Sequence, residues 1–257
     1  MRPTKDRAST LSRVYDSTAT PGSLPYDAAM AEVAPTKLAS RANLANYTFA
    51  EAARYVRIPA STVRYWAKGG SVTTAVRRVH FEHVLAGPPR QSLSFLDLTE
   101  LLVVRELRET FNFSLRTIRR AKAYAEQAFD RPWYLFELAA HGPDIFIRNI
   151  EAAPIAATRS GQLALEGFLE ELLLRVRSDE HGVPTDIFPR LAESSEPRPI
   201  RISPVVSFGN PTIRDTGIRT STVASRYDAG EDIDDIARDY GITRDLVADA
   251  IRFQVAA

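Results

Sequence analysis

The chain has 257 residues, 44% of them hydrophobic and 25% charged, with a formal net charge of +1. That is an ordinary globular composition with room for two modest domains. The absence of cysteine excludes disulfide scaffolds, cysteine-bound zinc and thiol catalysis. No run of 18 apolar residues occurs, and the early Arg2, Lys5, Arg7 and Arg13 precede no uninterrupted apolar core. A soluble cytoplasmic protein with no membrane partner is the expectation. The near-neutral total hides a division of charge. Residues 41–128 hold 14 Lys/Arg against 7 Asp/Glu, a balance of +7, whereas 129–202 carry −4 and 203–257 carry −3. A basic front followed by acidic segments points to a polyanionic partner at the front and a different partner behind.

Residues 1–44 are rich in Ala, Ser, Thr and Pro and read as a disordered tail, with a short helix near 26–32. Order begins at Tyr47. Thr48 followed by Glu51 fits a capping box opening a helix, which Ile58-Pro59 interrupts. A second helix at 60–68 stops at Gly69-Gly70. Two short helices about a tight turn predict a helix-turn-helix. The β-branched and basic run 72–79 then suits a hairpin or wing. Asp97 with Glu100 opens a third helix, with Leu98, Leu101, Leu102, Val104 and Leu107 on its inner stripe. Ser114 opens a fourth, running to about residue 129.

Residues 129–182 are expected to form a short β-hairpin around His141-Gly142-Pro143-Asp144, then an amphipathic helix over 161–177. Leu165, Phe168, Leu169, Leu172, Leu173 and Val176 fall on one face of that helix, an expected homodimer interface or an internal core. The proline-rich 183–204 reads as a linker. Residues 205–257 form three helices, about 220–228, 232–239 and 243–254, punctuated by Gly230 and Gly241.

In a helix-turn-helix the second helix enters the major groove, and its early residues meet bases and phosphates. Ser61, Thr62, Arg64, Tyr65 and Lys68 are the candidate DNA contacts there, with Arg77, Arg78 and His80 on the wing. The competing reading packs Arg64 against Trp66 within the fold. The run Tyr47-Thr48 … Ser61-Thr62-Val63-Arg64-Tyr65-Trp66, with Phe95-Leu96-Asp97-Leu98 and Phe113-Ser114-Leu115-Arg116-Thr117-Ile118, resembles the MerR-type winged helix-turn-helix family over about 47–127. Pro59 replaces the usual serine cap, and the wing is longer than in the family.

A second pattern, Pro211-Thr212-Ile213 with Gly230-Glu231-Asp232, Ile236-Ala237, Tyr240-Gly241-Ile242-Thr243 and Ala250-Ile251-Arg252-Phe253, resembles a short antitoxin domain family. That family carries Pro-x-Ile-x-Gly-Thr-Arg; here Asp215-Thr216-Gly217 stands where Gly-Thr-Arg is usual. Together the two resemblances imply a VapB-type antitoxin of a type II toxin–antitoxin system. It would be mainly α: a winged helix-turn-helix (45–128), a hairpin with a dimerisation helix, and a C-terminal trihelical unit. The resemblance implies a homodimer that represses its own operator DNA and neutralises a PIN-like ribonuclease toxin. Toxin contacts are expected at Phe208, Pro211, Ile213, Arg219, Tyr227, Tyr240, Arg252 and Phe253. The alternative is a MerR-like regulator answering a small-molecule effector. No phosphate-binding glycine loop occurs. His80 and His83 lack a third ligand, and His141 and His181 lack a nucleophile at a recognisable spacing. No catalytic residue, cofactor or metal is therefore expected.

Overall fold

The computed structural model describes residues 35–73, 77–85, 91–109, 112–129, 175–179, 183–189, 191 and 198–255. Among these, helices predominate, accompanied by short two-stranded antiparallel ladders. Residues 35–42, expected inside the tail, form helix α1 (Pro35–Ala42), whose Leu38 and Ala42 are buried. Their i, i+4 spacing puts both on one face. The helix expected at 26–32 lies outside the described residues.

Strand β1 (Ala45–Tyr47) leads into helix α2 (Phe49–Val56). Thr48 caps it as expected: its Oγ accepts from Glu51 N at 3.2 Å, and Glu51 Oε2 accepts from Thr48 N at 2.8 Å. Arg57 closes α2 in the left-handed region at φ 55, and Pro59 precedes helix α3 (Ala60–Lys68). Gly69 ends α3 at φ 69, and a Cβ there would sit 2.5 Å from the Phe81 carbonyl oxygen. The chain can therefore turn directly into the hairpin of β2 (Gly70–Thr73) and β3 (Arg78–Phe81).

Strand β4 (Leu93–Ser94) pairs with β1 and opens helix α4 (Phe95–Glu109). The opening lies three residues earlier than expected. Ser94, not Asp97, is the cap: its Oγ accepts from Asp97 N at 3.1 Å, and Asp97 Oδ2 accepts from Ser94 N at 2.8 Å. Glu100 sits in the interior instead. Helix α5 (Leu115–Phe129) follows, with Ser114 capping Thr117 N at 3.0 Å.

Two cations of α5 hold the base of the hairpin. Lys122 Nζ lies 2.7 Å from Glu100 Oε1, both side chains almost fully buried, and donates to the Val84 carbonyl at 3.2 Å. Arg119 donates to the His83 carbonyl at 3.1 Å and to that of Glu82. Val84 N in turn bonds the Trp66 carbonyl at 2.8 Å, tying this segment to α3.

Strands β5 (Val176–Ser178) and β6 (Pro184–Ile187) pair, as do β7 (Ile200–Arg201) and β8 (Thr212–Ile213). Reciprocal Ile187–Ile202 hydrogen bonds of 2.9 Å join the two ladders. The stretch 183–204, expected as a linker, thus carries two strands. It also carries a buried Arg201–Asp186 ion pair at 2.5 Å. Pro184 stands at the first position of its strand, where a missing N–H is tolerated. Val176 is likewise a strand residue, not the last turn of a helix; it pairs with Ile187 and is buried. The rest of the expected hairpin and helix, over 130–174, lies outside the described residues.

Helices α6 (Thr220–Asp228), α7 (Ile233–Tyr240) and α8 (Arg244–Val255) lie within about one residue of their expected bounds. Asp232 caps α7 and Gly241 closes it at φ 65. Their inner faces, with Val223, Ile236, Val247, Ala250 and Phe253, are buried.

The basic front packs against these helices through aromatic rings. Phe253 of α8 stacks on Tyr55 of α2 with centroids 6.2 Å apart, and Tyr55 meets Tyr47 edge-on at 6.0 Å. The Tyr47 hydroxyl donates to the Gly209 carbonyl at 2.9 Å. Gly209 has φ 80, and any Cβ would collide with that hydroxyl.

Tyr47→Phe removes this bond and should cost about 1–2 kcal/mol in chemical denaturation. Burial first, then Tyr55 and Glu51, pushes the Tyr47 phenol above its ordinary 10.0. A folded pKa above the unfolded one leaves this stabilisation intact below pH 10 and drains it as pH rises further. Stability of the wild type should therefore fall more steeply with alkali than that of Tyr47→Phe. Lys122→Met removes the cation paired with the buried Glu100 carboxyl and should cost about 3–5 kcal/mol, measured the same way.

Candidate nucleic-acid interface

Helix α3 divides its residues by face. Val63, Trp66 and Ala67 are buried, Ser61 and Arg64 are exposed, and Thr62, Tyr65 and Lys68 are half-buried. Arg64 does not pack on the Trp66 side. Its guanidinium lies 5.9 Å from the Phe49 ring, and Lys68 Nζ lies 5.1 Å from the same ring. Spacing of i, i+4 places both cations on one face, with both charged groups near the same ring. Lys68 Nζ also donates to Gln91 Oε1 at 2.6 Å.

The hairpin continues this surface. Tyr65 meets Phe81 edge-on at 5.8 Å, joining α3 to β3. Arg77, Arg78 and His80 are exposed, and Arg78 Nε donates to Ser71 Oγ at 2.9 Å across the ladder. The cross-strand partners are Ser71 with His80 and Thr73 with Arg78. His80 belongs to no potential metal cluster: among the described residues no group of three or more His, Cys, Asp or Glu could hold an ion.

Sequence reasoning overlooked Arg119 and Lys122, which count toward the basic balance yet are spent holding the hairpin. It also overlooked Arg57, whose position at the α2–α3 turn places a cation beside α3. Its signal was present, a long basic side chain immediately before Ile-Pro, where a turn was already expected.

The C-terminal candidates separate into core and surface. Pro211 is buried, Ile213 is 0% exposed, and Phe253 is 1% exposed against Tyr55, so these three pack inside the chain. Sequence patterns mark apolar residues without saying which side of a small domain they cover. Phe208 is the opposite case. It is 82% exposed, and it follows Ser207 with both residues in the left-handed region, at φ 47 and 57. Arg219 is exposed and Tyr227 is 44% exposed. Tyr240 lies beneath the Arg226 guanidinium at 4.9 Å, where Arg226 also binds Glu231 and Asp239. Arg252 is exposed and reaches Asp249 Oδ1 at 2.7 Å, and Asp249 itself is fully buried. Leu165, Phe168, Leu169, Leu172 and Leu173 lie outside the described residues. No described helix is long and apolar enough to cross a membrane.

Residues 200–253 match the family model described as "Protein of unknown function (DUF433)". Over 222 residues the chain is 22% identical to "Putative antitoxin VapB45" of Mycobacterium tuberculosis (strain ATCC 25618 / H37Rv), covering 80% of this chain and 92% of that protein. Its fold is similar to the X-ray crystal structure of Rv2018 from Mycobacterium tuberculosis, with a TM-score of 0.60, 21% identity, and coverage of 81% of this chain and 98% of that one. At 22% identity this similarity is distant, and the matched family model spans residues 200–253.

Proposed function

We propose that the protein is the antitoxin of a type II toxin–antitoxin pair, built on a MerR-like winged helix-turn-helix. The basic front binds operator DNA and represses the protein's own operon. The acidic C-terminal part engages and blocks a PIN-like ribonuclease toxin. A homodimer, held by the apolar face at 165–173, would match a two-fold operator. The observation that carries the reading is the shared outward surface of α3 and the hairpin. Arg64 and Lys68 on Phe49 stand beside a β-ladder with exposed Arg77, Arg78 and His80. Such a surface draws phosphates by salt-sensitive attraction and lets one arginine reach a base. The 22% similarity to VapB45 supports the toxin-facing half of the reading.

Phe208 is the strongest toxin contact among the C-terminal candidates. An aromatic ring that is 82% exposed on a two-residue left-handed turn gains little inside this chain and has most to gain against a partner. The acidic C-terminal balance of −3 would complement a basic, RNA-binding enzyme surface.

Arg64→Ala should weaken operator binding while leaving the fold intact. Loss of a bidentate base contact would cost about 1–3 kcal/mol and relax one base position. Titration of labelled operator at several salt concentrations, with circular dichroism as the folding control, checks this. A folded variant with wild-type affinity and salt slope would remove Arg64 from the interface. Phe208→Ser should leave the melting temperature within a few degrees of wild type, because the ring packs on little. It should nevertheless weaken co-purification with the product of the adjacent reading frame when the two are co-expressed. Undiminished co-purification would place the toxin surface elsewhere.

A further inference from the structure

The turn joining α2 to α3 borders an open cleft of about 670 Å³ lined by residues that include Ala50, Glu51, Ala53, Arg54, Arg57 and Pro59. Arg57 is the anomaly in this cleft. Its Nε and Nη2 atoms are buried and have no hydrogen-bond partner. The nearby acids are already engaged. Glu51 is held in the Thr48 capping box, and Glu109 and Glu106 lie against Arg105 at 2.9 and 3.8 Å. Burial first, and then repulsion by Arg105, pulls the Arg57 pKa down. Two guanidinium nitrogens withdrawn from water without an acceptor are in an unfavourable place. Nε and Nη2 form the edge that grips an oxyanion through two parallel hydrogen bonds. Arg54 adds a second cation to the lining, and Pro59 brings no side-chain acceptor to the start of α3.

We propose that this cleft seats one DNA backbone phosphate, with Arg57 turning into it to bind side-on through Nε and Nη2 and Arg54 at its rim. The inference rests on the DNA-binding reading above and names a contact that reading does not include. The shared chemistry is a phosphate-type oxyanion, and two sources exist, a DNA strand and free inorganic phosphate. Position favours the strand. The cleft opens at the first residue of α3, and Arg64 and Lys68 project from the same helix within its nine residues, about 13 Å at the usual rise. Partnering Arg57 would relieve its desolvation and its repulsion by Arg105 at once. The contact is sequence-independent, so it fixes register on the duplex and not the choice of bases.

The test uses the full chain and a labelled random-sequence duplex titrated across salt concentrations, beside a labelled duplex from upstream of its own gene. Arg57→Asn tolerates the left-handed backbone and removes the cation. It should weaken binding to both duplexes severalfold and make the salt slope shallower by about 0.9. Its melting temperature should equal or exceed that of the wild type, because two buried unpaired donors are gone. Arg57→Lys should restore the slope but not the full affinity. Arg54→Gln should shift affinity in the same direction and serves if Arg57→Asn does not fold. Wild-type affinity and slope in Arg57→Asn, or a joint loss of binding and stability, would overturn the inference while leaving the DNA-binding reading standing. A wild type that binds neither duplex defeats both. Inorganic phosphate that raises the melting temperature of the wild type but not of Arg57→Asn, at matched ionic strength and with the variant's DNA binding intact, would assign the cleft to free oxyanions and overturn the DNA assignment.

Discussion

Tyr47 is the point on which the arrangement of this chain turns. Its ring meets Tyr55 edge-on, Tyr55 stacks on Phe253 of the last helix, and its hydroxyl bonds the Gly209 carbonyl. Each aromatic pair contributes about 0.5–1.5 kcal/mol beyond the area it buries. The hydroxyl adds a directional bond in a buried setting. The position of α2 is therefore set from both ends of the sequence. Since α3 follows α2 after a three-residue turn, the outward surface of α3 inherits that position. Residues some 160–200 positions apart share one packed contact, so the basic front and the acidic rear are neighbours in space as well as modules in sequence.

Charge in the front half is put to two uses. Lys122 and Arg119 face inward and tie the hairpin's base to α5 through Glu100 and three backbone carbonyls. Arg64, Arg77 and Arg78 are exposed, and Lys68 is half-buried beside Phe49. The inward set makes the outward set effective, because a hairpin held at its base presents its cations at a fixed distance from α3. A net balance counted along the chain cannot separate these uses. Only the outward cations contribute to long-range attraction of a polyanion.

The C-terminal part follows the same logic with apolar residues. Ile213 and Phe253 are spent on the core, and Phe208, one residue before Gly209, is left outside. The tight approach of Gly209 to Tyr47 explains part of this. The chain reaches that carbonyl through consecutive left-handed residues, and the turn carries the Phe208 side chain away from the packed face. The same short segment thus joins an internal hydrogen bond to an exposed aromatic ring, and a partner seated on Phe208 would lie one residue from the bond that positions α2.

Local chemistry made the helices legible from the sequence. Thr48 with Glu51, Gly69, Ser114, Asp232 and Gly241 each satisfy or end a helix through atoms within a few residues of themselves. The boundaries they mark therefore need no knowledge of the fold. The hairpin was legible for the same reason. What depends on distant partners was not. Pro184 to Pro204 reads as a linker because prolines break local patterns, yet β6 and β7 form there because Ile187 and Ile202, Asp186 and Arg201 find each other across the chain. Val176 continues a helical stripe on paper and pairs as a strand with Ile187 in space. The sequence by itself determined where backbone hydrogen bonds are satisfied locally and which segments are basic or acidic. Only the tertiary structure decided which apolar residues are core and which cations face outward, because burial is set by what packs against a residue and not by its neighbours in the chain.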